Sequence, residues 1–210
     1  MLAEGLHRES RSHVGSLPRL VERVLADAAL TIDNVEAVAV SIGPGSFTGL
    51  RIGLALAKGL AFAGGLPLAA VPTLEALAWV AEAAPGTTIC AALDARKREV
   101  YAALFRAGPR GPERLTPDLA LSPEALAARL EPPCVLVGDA TEVYATTLGP
   151  CAVVRPFATH HPRGGVIARL GGERLAAGEA AALGELEPVY VRGADAELPR
   201  APALTSRFTP

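Results

Sequence analysis

The segment from Val35 to Val71 constrains this chain more than any other. Val35–Ile42 is a β-branched run suited to a buried strand, and it ends in Gly43–Pro44–Gly45. A long apolar stretch follows, predicting a helix from Thr48 to about Ala63, and Leu66–Val71 then reads as a second strand. Two strands joined through a helix are parallel, with a right-handed crossover. Thr73 opens a third helix through about Ala83. An α/β architecture is therefore expected.

The apolar stretch Leu50–Val71 is also the one membrane candidate. Arg51 and Lys58 interrupt it and Gly64–Gly65–Leu66–Pro67 breaks it, so it is read as a buried helix followed by a strand. No membrane association is expected. Arg51 and Lys58, seven residues apart, share one helix face, while Gly49, Gly53, Ala57 and Ala61 form a small-residue ribbon. Each interior glycine costs about 1 kcal/mol against alanine. Tight packing on the sheet or a neighbouring helix is the expected compensation, leaving Leu54, Ala55, Arg51 and Lys58 nearer the outer face. Upstream, Ser16 can cap a helix with Pro18 in its first turn, and Leu17, Leu20, Val21, Val24, Leu25 and Ala28 make an apolar stripe.

Pro85–Gly86 marks a boundary between an N-terminal unit, 1–85, and a C-terminal unit, 86–210. Beyond it, Thr88–Leu93 and Glu99–Phe105 predict a hairpin around Asp94–Lys97. Gly108–Pro123 reads as a loop. Ser122 and Pro123 start a helix, Val135–Val137 and Val153–Val154 are strands, and Gly165–Ala177 is a last helix before a frayed tail from Pro199.

Few residues suggest chemistry. Gly43, Pro44, Gly45, Ser46, Phe47, Thr48 and Gly49 can act as a structural turn or a phosphate cradle, but the loop lacks the GK[ST] of a P-loop and the spacing of a dinucleotide loop. Ser46 and Thr48 have no His or Asp nearby in sequence. His7, His13, His160 and His161 have no metal-ligand spacing, so no metal is expected. Asp94, Glu99 and Asp139 stand at strand ends, where α/β ligand sites lie, and also suit turns. Cys90, Cys134 and Cys151 are read as reduced, packed thiols. A net charge of −2 removes the electrostatic footprint of a protein that binds nucleic acid unaided.

Taken together, Val38–Gly53, Ala57–Ala61, Val71–Leu77, Asp94–Arg96 with Glu99–Tyr101, and Pro188–Arg192 resemble the TsaB (YeaZ) family. The resemblance implies the two-domain α/β fold of actin, hexokinase and the Hsp70 ATPase. It also implies a cytoplasmic, non-catalytic subunit in synthesis of tRNA N6-threonylcarbamoyladenosine. That subunit pairs with a TsaD-type catalytic subunit through its N-terminal helices, supports a TsaE-type ATPase, self-associates when alone, and meets tRNA only through the complex. The expected interface is Leu17, Leu20, Val21, Val24, Leu25, Arg51, Leu54, Ala55, Lys58 and Phe62. Thr73 and Leu77 fall where TsaD carries its His-xxx-His metal pair, and ATP or ADP is expected only within the complex. Family members begin with a D-T-[SA] strand and a second strand before the segment matching Ala3–Gly5, so the first sheet is expected to lack its first strand or strands. The alternative is a self-sufficient hydrolase or peptidase of the same superfamily.

Overall fold

The computed structural model describes residues 1–7 and 13–191, with side chains from residue 16 onward in the second stretch. The tail expected from Pro199 lies outside the described residues. Strands β1 (Val38–Gly43) and β2 (Leu68–Pro72) pair in parallel, with Val38 opposite Leu68 and Ser41 opposite Val71. β1 starts at Val38 rather than Val35, because Ile32–Asn34 form a 3-10 turn closed by the Thr31 N–H donating to Asn34 Oδ1 at 2.9 Å. Helix α1 (His13–Asp27) lies beside α2 (Phe47–Gly64), which connects the two strands. α1 begins upstream of Ser16, so that residue is not its cap. Pro18 sits inside the helix on an exposed position, where the backbone hydrogen bond it forfeits is left to water.

The second sheet is built on the expected hairpin, β3 (Thr88–Arg96) and β4 (Glu99–Gly108), in antiparallel register with Ala91 opposite Ala103. β5 (Gly111–Arg114) and β6 (Leu119–Leu121) both pair with β4, so the segment expected to be a loop carries two short strands. Pro112 is tolerated there because β5 is an edge strand. On the other side β7 (Cys134–Val137) runs parallel to β3, followed by β8 (Val153–Val154). Both faces are buried, as the alternation along β3 shows. Ile89, Ala91 and Leu93 pack on one face with Phe105 and Val137. Cys90 and Ala92 pack on the other with Leu136, Leu148 and Leu126, which belongs to α4 (Pro123–Ala127).

Between the two sheets lies α3 (Thr73–Trp79), shorter than expected. It stops before Ala83 because the Arg155 guanidinium takes the Ala81 and Glu82 carbonyls, at 3.0 and 2.8 Å, and Glu82 turns to φ 49°. Leu74 and Leu77 face the second sheet, whereas Ala76 faces Val71 and Leu170. Leu170 belongs to α7 (Gly164–Ala176), which returns to cover β1 and β2. Gly171 permits that approach, since a Cβ there would stand 2.4 Å from Ala39 Cβ.

α2 is not the buried helix expected. Of its 18 residues only Leu54, Ala57 and Ala61 are buried. By length and composition alone it could cross a bilayer, yet it lies along β1 and carries two cations.

The first residues are held against α7 by one side chain. The Glu4 carboxylate accepts from Arg163 Nε at 3.0 Å, from Arg163 Nη2, and from the Gly165 amide at 3.0 Å, in the first turn of α7. The Arg163 hydrogen bond holds this carboxyl below its usual value near 4.5, against the opposing effect of burial and with help from Gly165. A lowered folded pKa stabilises above the unfolded value and loses that effect as pH falls through the folded one. Glu4→Gln is therefore expected to lower the thermal midpoint at neutral pH. The difference from wild type should shrink to nothing as acid protonates Glu4, which a pH series of melts reads directly.

Candidate functional site

The loop Gly43–Gly49 is shaped by a part of the chain that the sequence did not connect to it. Gly43 adopts φ 122°, and a Cβ there would stand 2.6 Å from the Val189 carbonyl oxygen. The Val189 amide donates to Ile42 O at 2.7 Å, and the Ala181 amide donates to Leu68 O at 2.8 Å. Residues 181–191 thus form a strap bonded to both strands of the first sheet. Leu183 and Leu186 of this strap pack on Ala57 and Ala61. Pro44 is fully buried. The Ser46 hydroxyl accepts from the Gly49 amide at 3.3 Å and caps α2. Gly45 and Gly49 meet only ordinary contacts with Leu50 and Ser46.

The small-residue ribbon divides. Ala57 and Ala61 face the core, but a Cβ on Gly53 would meet nothing within 4 Å, and the same holds at Gly59. Sheet packing therefore does not explain the interior glycines. Leu54, expected on the outer side, is 5% exposed; the strap runs along that face, and Leu186, Glu187, Pro188 and Tyr190 share a groove with Leu54, Arg51, Ala55 and Lys58. A helix apolar on every side does not reveal which face will be covered. Ala55 is exposed and Phe62 is 81% exposed. On α1, Leu17, Leu20, Val21, Val24 and Leu25 are all half-buried. The last four line an apolar groove of about 810 Å³ with residues 1–5 and the start of α7. The expected interface residues thus lie on two adjacent helices, each with apolar surface left uncovered.

At the hairpin turn the structure joins Asp94 to Asp139. Asp139 Oδ1 accepts from the Asp94 amide at 2.8 Å, while Asp94 Oδ1 accepts from the Arg96 amide at 2.9 Å and the Tyr144 hydroxyl at 3.1 Å. Burial pushes the Asp139 carboxyl up, opposed by the hydrogen bond from Asp94. Arg96, Lys97 and Arg98 all have positive φ, between 51° and 63°, at a cost of about 1–2 kcal/mol each that this network helps to offset. These carboxylates build the turn. The Tyr144 hydroxyl also lies 3.5 Å from the Glu99 carbonyl oxygen.

Thr73 and Leu77, which the family resemblance sets against a metal pair, carry other work. Thr73 Oγ1 lies 2.6 Å from Ser41 Oγ, tying α3 to β1, and Leu77 is fully buried in the core. Among the described residues no three His, Cys, Asp or Glu side chains are placed to share a metal ion. His160 Nδ1 stands 2.8 Å from Thr159 Oγ1, and His161 packs edge-on to Phe157. Cys90 and Cys134 are buried; desolvation raises both thiols, Cys134 to about 11, so neither is a ready nucleophile. A cavity of about 480 Å³ opens at the ends of β1 and β2, lined by Gly43, Pro72, Arg114, Asp118 and Val189. Its two charges pair with each other at 2.8 Å.

Residues 7–128 match the family model described as TsaD: tRNA N6-adenosine threonylcarbamoyltransferase. The chain is 32% identical over 204 residues to the tRNA threonylcarbamoyladenosine biosynthesis protein TsaB of Bacillus subtilis, covering 94% of this chain and 87% of that protein. It is 40% identical to the TsaB of Haemophilus influenzae over 92 residues, 43% of this chain and only 39% of that relative's length. In three dimensions it resembles YeaZ from Pseudomonas aeruginosa with a TM-score of 0.75 and 30% identity, covering 86% of this chain and 84% of that one. The fold is accordingly the actin-, hexokinase- and Hsp70-like α/β fold.

Gly43→Ala is expected to cost about 1–3 kcal/mol from backbone strain, and to loosen the strap. Gly45→Ala, whose Cβ meets Leu50 at an ordinary 3.9 Å, should be close to neutral. Urea unfolding gives the first effect, and amide exchange over residues 181–191 gives the second. Equal midpoints for Gly43→Ala and wild type would mean that the strap does not require this glycine.

Proposed function

The chain belongs to the TsaB (YeaZ) family, and on that premise we propose that it is a non-catalytic scaffold subunit for threonylcarbamoyl transfer to the adenosine next to the anticodon of tRNAs. Its work is to pair with a TsaD-type catalytic subunit and to support a TsaE-type ATPase. tRNA, ATP and ADP are engaged only within that assembly, in the cytoplasm.

One observation carries the reading: the uncovered apolar surface of α1 and α2. An apolar helix of 18 residues with three buried leaves a patch that a soluble protein covers with a partner. Phe62 stands 81% exposed near the end of α2, and large aromatics anchor interfaces. Gly53 and Gly59 supply the second support. Glycine inside a helix costs about 1 kcal/mol, none of the described residues comes close enough to require the lack of a Cβ, and a partner backbone approaching closely would. Two further features favour a non-catalytic role. Thr73 and Leu77 are spent on a structural hydrogen bond and on the core, and leucine offers no metal donor. The Ser46 hydroxyl, the loop's candidate nucleophile, bonds the Gly49 amide and no His or Asp among the described residues.

The test is sedimentation velocity with and without the catalytic subunit, with circular dichroism to confirm folding. Ala55→Arg and Phe62→Asp should stay folded and lose pairing, because each leaves an unpaired charge in an apolar interface, a loss of several kcal/mol. Gly53→Ala should be about 1 kcal/mol more stable as a monomer and yet pair less tightly. Wild-type affinity in all three variants would remove α2 from the interface. Leu54→Asp is not a useful probe, because at 5% exposure it would unfold the chain.

A further inference from the structure

Two motifs far apart in sequence meet at the outer face of α2. Phe47 and Arg51 stand one turn apart near its start, and Tyr190 comes from the strap. Arg51 Nε donates to the Tyr190 hydroxyl at 2.9 Å. Its guanidinium carbon lies 3.9 Å from the centroid of the Phe47 ring and 5.9 Å from that of Tyr190. The two rings contact each other, centroids 5.4 Å apart. A long, flexible cation is thereby fixed by cation–π attraction and one hydrogen bond, with its rotamer entropy already lost before any partner arrives. Nη1 and Nη2 have no hydrogen-bond partner among the described residues, and Arg51 is exposed. Lys58, two turns along the same face, also has no ion pair among them. Both line a groove of about 350 Å³ with Leu54, Ala55 and the strap. Glu187 is on the strap side of this groove and pairs with neither cation, leaving a net positive charge.

We propose that Arg51, held by Phe47 and Tyr190, recognises a carboxylate on the catalytic partner, with Lys58 as the second contact. The inference rests on the pairing proposed above and names what that surface selects. A planar fork with two free amines matches a carboxylate in two parallel hydrogen bonds. The groove is continuous with the apolar surface around Ala55, so its occupant is an Asp or Glu flanked by apolar side chains. This gives Pro188–Val191 a role: the strap fixes Arg51 for its partner as well as bonding both strands of the first sheet.

The experiment measures affinity for the catalytic subunit from the same genome by calorimetry, from about 50 mM to 500 mM salt, a range that spans strong to weak screening. Wild type should weaken steadily with salt. Arg51→Ala should lose about tenfold or more at low salt and show a flattened salt dependence, as removal of an interface anchor does. Arg51→Lys keeps the charge but loses the fork and should fall in between. Tyr190→Phe keeps the ring and should lose a few-fold through a less fixed Arg51. Circular dichroism controls for folding. Wild-type affinity and salt slope in Arg51→Ala would overturn the inference. If Ala55→Arg abolishes binding while Arg51→Ala does not, pairing through α2 stands and the carboxylate contact falls. If neither variant changes binding, both fall. A loss in Arg51→Ala that appears only with added ADP would identify a phosphate as the ligand and also overturn it.

Discussion

The wedging of α3 between two sheets is the constraint on which the rest of the molecule depends. Seven residues, Thr73–Trp79, follow β2 without a loop and meet different neighbours on each side. Leu74 and Leu77 join the core of the second sheet, Ala76 joins Val71 and Leu170, and Thr73 bonds Ser41 across to β1. Trp79 finishes the wedge. It lies under Arg169 of α7, 3.7 Å from ring to guanidinium, and so close to Gly111 that a Cβ there would stand 1.9 Å away. A metal-binding pair at positions 73 and 77 would have to displace this packing. The same positions cannot serve both purposes, and here they serve the fold.

The first sheet pays for its small size with help from α2 and from α7 and the strap later in the chain. Two parallel strands bury little by themselves, so α7 covers one face and α2 lies along β1. The strap then hydrogen-bonds at Ile42 and Leu68 and fills the groove beside Leu54. On α2 the exposed large hydrophobics are Phe47 and Phe62, and the apolar groove between α1 and the start of α7 stays open among the described residues.

Most of the first layer was legible in the sequence. A β-branched run, a glycine turn and an apolar helix specify β1, α2 and β2 to within a few residues, and Ser122 with Pro123 marks α4. The elements that were not legible are those whose pairing is set at long range. β5 and β6 are short, and one contains proline, so only their partner β4 makes them strands. The strap has no periodicity, and its bond from Arg51 to Tyr190 spans 139 residues of sequence. The i, i+4 spacing of Phe47 and Arg51 was a visible sign that the cation had an aromatic neighbour. Of the candidate interface, the two helices were legible, but their inner and outer faces were not. α2 is apolar all round, so pattern alone could not show that Leu54 is covered while Gly53 is open.

In the proposed scaffold role this chain lends a surface and not a reaction. The most direct test is threonylcarbamoyl transfer to tRNA, with the chain assayed alone and titrated into the catalytic subunit and the ATPase. No turnover is expected from the chain alone, and transfer should rise with added chain to saturation at one copy per catalytic subunit. Robust turnover by the chain alone, abolished by a point substitution in it, would contradict the account, as would full transfer in its absence.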